Sequence, residues 1–248
     1  MTSFMRLASM EVKLFFREKM AVFWTFMFPV LILWLMGSLF GEQMGMETFA
    51  TLYIPAWMGV NVLTIGLFGI GTVLTEYREK EILRRYQATP LRPLSIVGAQ
   101  MMQGAVILLI SAIILLSFGR IAYGLSFPQY PLSTILALAL SVIAIFPFSV
   151  LITSLAKNSR TAAAISSVVF NLMMFLSGAA FPLEMMPTFL QWVAKFLPLY
   201  YVIYLLQQTW NESSLWENGM EIGVLSGIAI ISTLMAVKYF RWNRRQEN

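Results

Sequence analysis

Apolar positions run in blocks of about twenty residues along almost the whole chain, with short polar stretches between them. Six blocks stand out, at about 21–41, 53–74, 98–118, 132–156, 161–180 and 222–239. A block of some 21 residues at 1.5 Å each reaches roughly 31 Å as a helix, enough to cross the hydrocarbon core of a bilayer. Lipid offers no partner to backbone N–H and C=O groups, so each block predicts an α-helix. Pro29 and Pro147 lie inside the first and fourth. The pattern predicts an all-α integral membrane fold: six transmembrane helices in a single domain over residues 1–248.

The segments outside the blocks have patterns of their own. In residues 3–20, at 100° per residue, Arg6, Lys13 and Arg17 form one narrow stripe and Glu11 and Glu18 lie roughly opposite. Phe4, Leu7, Leu14, Phe15 and Phe16 fill much of the remainder, which predicts an amphipathic helix in the membrane interface. The apolar run after it is long and no A-x-A-like site follows, unlike a cleavable signal. The most charged window is TEYREKEILRRYQATP, Thr75 to Pro90. No Gly or Pro interrupts it before Pro90, so a helix over about 76–90 is expected. Ile82 and Tyr86 share a face at i, i+4, and Glu81 and Arg85 make an i, i+4 ion pair. Segment 181–211 is apolar but cut by Pro182, Pro187 and Pro198. Pro187 to Leu197 is about 16 Å as a helix, half a bilayer. Two short helices that dip in from the outer face and return are expected there, with Trp192, Tyr200, Tyr201 and Trp210 at headgroup level.

Charge orients these elements. Alternate segments hold 15 Lys and Arg against 2, which puts both termini and the 75–97 segment in the cytoplasm. The net charge of +5 follows the membrane sides and is no sign of a nucleic-acid partner. Only 12% of residues are charged and 58% are apolar, where a soluble domain carries about 25% charged residues.

Composition removes much chemistry. The chain has no Cys and no His, and all 12 acidic residues are Glu. Ser-His-Asp triads, Cys-His pairs and the usual zinc sites are excluded, so no catalytic residue and no metal ligand is assigned. No G-x-x-x-x-G-K-[ST] occurs, so the chain cannot hold ATP in a P-loop. No ionisable residue lies deep in a block, which disfavours a self-sufficient ion-coupled carrier. Asn61, Thr64 and Asn171 are the mid-membrane polar residues and the candidates for a translocation path, with Gln100 and Gln103 nearer the inner face. Hydrogen bonding between helices is the competing use for them.

Glu76, Arg78 and Glu79, followed by Ala88-Thr89-Pro90-Leu91, resemble the E-x-R-E … A-T-P-L signature of type-2 ABC exporter membrane subunits. Leu176-Ser177-Gly178, Phe181-Pro182, Pro187 and Leu197-Pro198-Leu199 resemble the second signature of that family, around its re-entrant outer helices. Glu81 departs from the pattern, because many relatives carry Gly there. The resemblance implies a permease of a prokaryotic cell membrane that dimerises with a second copy or a paralogue through spans one and five. The small residues Ala162, Ala163, Ala164, Ser166 and Ser167 suit such contact. Two cytoplasmic ATPase subunits would carry the ATP and Mg, this chain holding no cofactor itself. The 76–90 helix would be the coupling helix, with Ile82, Leu83 and Tyr86 as apolar anchors in an ATPase cleft. Glu76 and Glu79 would fix it at the membrane edge through Arg side chains or helix N-termini. The expected cargo is an amphipathic small molecule moved outward, a drug, an antibiotic or a lipid-like compound. A glycan or lipid-linked polymer exporter and a non-transporting anchor or sensor subunit are the alternatives.

Overall fold

A computed structural model describes residues 3–83 and 93–239. These residues are helical, with no strand among them. Helix α1 (Ser3–Arg17) is followed by α2 (Lys19–Met44) and α3 (Met46–Glu79). Then come α4 (Pro93–Tyr123), α5 (Pro131–Ser154) and α6 (Ser159–Leu176). Two short helices, α7 (Thr188–Ala194) and α8 (Pro198–Asn211), precede α9 (Gly219–Tyr239). Six helices among the described residues, α2 to α6 and α9, are long and apolar enough to cross a membrane. Helices α7 and α8 meet at 92° across a short break.

Helices α2, α3, α4 and α9 are longer than the apolar blocks, because polar residues extend them at their ends. Nothing like an outer loop over 42–52 exists: Gly45 alone separates α2 from α3. Its φ of +84° is a left-handed turn that glycine adopts without a Cβ penalty.

Helix α3 is the core of the bundle. Of its most apolar window 72% is buried, against 28% for α2 and 17% for α6. It packs against α2, α4, α5 and α8. Over Ile65–Gly71 it widens into a π-helical segment, and here α5 comes close. A Cβ on Gly66 would stand 2.5 Å from the Ser149 hydroxyl, so only glycine admits this approach. Ser149 and Thr153 return their own hydroxyl protons to Ile145 O and Ser149 O, at 2.8 and 2.9 Å. Helix α2 has a second π turn, Phe23–Met27, just before Pro29. Proline lacks the N–H and crowds the preceding turn, and a wide turn accommodates it without ending the helix.

Helix α1 lies along α4. It buries Leu7, Ala8 and Glu11 and exposes Met5, Met10, Leu14 and Phe16. At the Gly45 end, Phe49 stacks on Tyr53 with ring centroids 4.7 Å apart. Tyr123 donates its hydroxyl proton to Leu33 O at 3.0 Å.

Candidate functional site

The charged window does not form one helix. Helix α3 carries on through Glu79, Lys80 caps it, and Glu81 turns the chain with φ +55°. That left-handed conformation costs a non-glycine residue about 1–2 kcal/mol, and Glu81 stands where the family pattern has Gly. Helical residues resume at Ile82 and Leu83, while Tyr86 and Pro90 lie outside the described residues.

Up to that turn the charges serve the chain itself. Arg78 donates to Ser154 O at 3.4 Å and to Ala156 O, the free carbonyls at the end of α5. Glu79 accepts the Ser159 N–H at 2.7 Å at the start of α6, where Asn158 caps Thr161 N–H at 2.8 Å. A cation thus meets the negative end of one helix and an anion the positive end of the next. Glu79 sits at the N-terminus of α6. Glu76 does not: it pairs with Lys80 along its own helix and holds the Lys80 ammonium above its usual range. Leu83 also needs correction as a partner anchor. It is 1% exposed in the chain's own core, so no partner cleft can receive it, whereas Ile82 is half-buried.

Beside this junction lies a cavity of about 1240 Å³. Asn61 and Thr64 of α3 and Asn171 of α6 all line it, so the structure brings the three mid-membrane candidates together. Each already donates one hydrogen bond within the chain. Asn61 donates to Ser111 Oγ at 2.6 Å, tying α3 to α4. Thr64 and Asn171 donate to carbonyls one turn back, Val60 O at 2.9 Å and Ser167 O at 2.7 Å. Trp24, Phe28, Trp57, Phe68 and Phe170 give the walls their aromatic character. Helices α2 and α6 stand on either side. Of the small residues on α6, Ala162 and Ser166 are buried within the chain, and Ala164 and Ser167 stay exposed.

The sequence reading missed the most unusual residue of this cavity. Glu11 of α1 lines it, is 5% exposed and accepts the Tyr77 hydroxyl at 2.8 and 3.0 Å. Burial raises its carboxyl above the ordinary 4.5, against the opposing effects of Tyr77 and the nearby Gln100 amide. Gln100 Nε2, Gln103 Oε1 and Trp57 Nε1, all on cavity-lining residues, are buried without a hydrogen-bond partner. A signal for Glu11 was present: on a helical wheel it falls between Leu7, Phe4 and Phe15, on the apolar side of α1.

At the other end, Gly178, with φ +87°, and Pro182 line a hollow of about 100 Å³ with Tyr53, Ser177 and Tyr200. Pro187 precedes α7, and Pro198 opens α8 at the position where a missing N–H costs nothing. Tyr201 and Trp210 are buried against the protein, Tyr200 is half-buried and Trp192 is exposed.

Residues 2–210 match the family model described as "ABC-2 type transporter". The chain belongs to that family. A relative of Bacillus subtilis (strain 168), "Putative transport permease YvfS", is 23% identical over 77% of this chain and 78% of its own length. "Nodulation protein J" of Rhizobium meliloti (strain 1021) and that of Rhizobium leguminosarum bv. viciae are each 29% identical over 42% of this chain and 40% of theirs. This ABC-2 family member is therefore a multi-pass membrane transport protein, a permease subunit with six candidate spans.

Proposed function

We propose that the chain is the permease subunit of an ATP-driven exporter. Two copies, or one copy and a paralogue, would pass an amphipathic small molecule between spans one and five, that is, α2 and α6. A separate ATPase would supply the energy at the cytoplasmic face, where α1, Glu79 and both termini lie in this reading. The carrying observation is the cavity: three polar residues from two spans line one aromatic-walled space. Its volume of about 1240 Å³ slightly exceeds the roughly 300–1,000 Å³ of small-molecule sites. The right angle between α7 and α8 supports a re-entrant outer segment. The Arg78–Glu79 junction supports transmission of force, since a push on the segment after Glu79 reaches spans two, four and five together.

The test is biochemical. Purified from its host, the permease should carry a P-loop ATPase identifiable by mass spectrometry, and alone it should hydrolyse no ATP. Robust hydrolysis by the lone chain would overturn the reading. For orientation, a Cys at Ser213 should react with an impermeant thiol reagent in sealed cells and one at Ser159 should not. The reverse pattern would invert the topology.

A further inference from the structure

Glu11 is a buried acid with no ion-pair partner among the described residues. No Lys or Arg among the described residues is ion-paired with it; the Tyr77 hydroxyl hydrogen-bonds it, and the Gln100 amide lies beside it. Removing a carboxylate from water is costly unless a cation or several donors replace the lost hydration. Arg17 and Lys19 line the same cavity but are exposed, so water and salt screen them. The buried charge therefore sets the sign of the potential in that corner. Two amides line the same cavity, that of Gln100 beside the Glu11 carboxyl and that of Gln103, whose Oε1 acceptor is buried without a partner. They are three residues apart on α4, hence on one face. Phe15, Trp24 and Trp57 are also among the lining residues, and aromatic rings can attract cations over their faces.

We propose that this corner is a cation subsite and that the permease takes monocationic amphiphiles. A quaternary or protonated nitrogen sits against Glu11. A neck bearing an amide or hydroxyl meets Gln100 and Gln103, and an apolar body lies along Trp24, Phe28 and Trp57. That these molecules are cargo rests on the exporter reading; that they bind does not.

Two ions of one size and opposite charge separate the possibilities: tetraphenylphosphonium and tetraphenylborate. Binding to the full chain in nanodiscs is followed by quenching of tryptophan fluorescence, against empty nanodiscs for partition into lipid. The cation should bind saturably, and Glu11→Gln should weaken it about tenfold, the scale of one lost charge pair in a partly dry site, without weakening the anion. Equal affinity for both ions, or equal weakening of both in the variant, would overturn the subsite. A second measurement uses the unaltered chain and does not depend on the variant folding. Dicyclohexylcarbodiimide should label Glu11, read by mass spectrometry, and the phosphonium but not the borate should protect it. Unprotected labelling overturns the proposal. Neither assay contains ATP or an ATPase, so a failed exporter reading would leave these results standing, and the converse holds.

Discussion

Two groups of polar residues meet at the α1 end of the bundle, and they are built on opposite principles. In the junction, Arg78 and Glu79 find partners at the ends of α5 and α6. In the cavity, Gln100, Gln103 and Trp57 keep buried polar atoms unpartnered, and Glu11 has one hydroxyl for a partner. Satisfied charges stiffen a structure, and their loss is expensive. Unsatisfied ones destabilise it, and a fold carries them where something else is to be bound. The first region holds helices in register and the second leaves room for a guest.

The sign of a mutation's effect on stability should therefore differ between the two. Arg78→Ala with Glu79→Ala should cost most, about 3 kcal/mol, since hydrogen bonds to charged groups contribute roughly 1.5–3 kcal/mol each. Unfolding of the purified chain in detergent measures this, and a loss below about 0.5 kcal/mol, the size of an exposed ion pair, would dissolve the contrast. Gln103→Leu, in the cavity, should go the other way. It removes a buried carbonyl oxygen without a partner and should stabilise by about 1–2 kcal/mol, at the expense of ligand binding. Glu81→Gly relieves the left-handed residue beside the junction and should raise stability by about 1 kcal/mol.

The smallest effect is a pH dependence. The Glu11 carboxyl is raised in the folded chain, so above the ordinary 4.5 the unfolded chain ionises first. Stability should fall, relative to Glu11→Gln, from pH 4.5 up to the raised value and stay level beyond it. Parallel curves for the two chains from about pH 4 to pH 8 would mean that Glu11 is not desolvated.

Much of the architecture was legible in the apolar pattern. All six blocks correspond to spans, because hydrocarbon tolerates little else over that length. Their ends were not legible. Glu42, Glu47 and Thr75 to Glu79 are polar and still helical, because a helix that has already formed continues into the interface without needing apolar residues. The turn at Glu81 escaped a reading based on Gly and Pro, since its left-handed residue is neither. Asn61, Thr64 and Asn171 stood out because polarity within an apolar run is conspicuous, and all three line the cavity. Leu83 was misread because an apolar residue in a charged window looks like an outward anchor, and only the packing shows it turned inward. Glu11 was overlooked because a leader with six charged side chains hides one on the wrong face; position on the wheel, more than residue type, carried the information.

The single residue between α2 and α3 has a mechanical consequence. With Gly45 as the only link, the two rods are jointed at that end and cannot part there. At its far end α3 is bolted to α5 and α6 through Arg78 and Glu79. In this linkage α2 is the more lightly held member, its backbone bonded by the Ser111 and Tyr123 hydroxyls at 3.5 and 3.0 Å, like one blade of a pair of compasses pivoting at Gly45. Its free tip is joined to α1 at Glu18. A sideways pull on α1 would act over the full length of α2, and would open the cavity at the tip before the pivot.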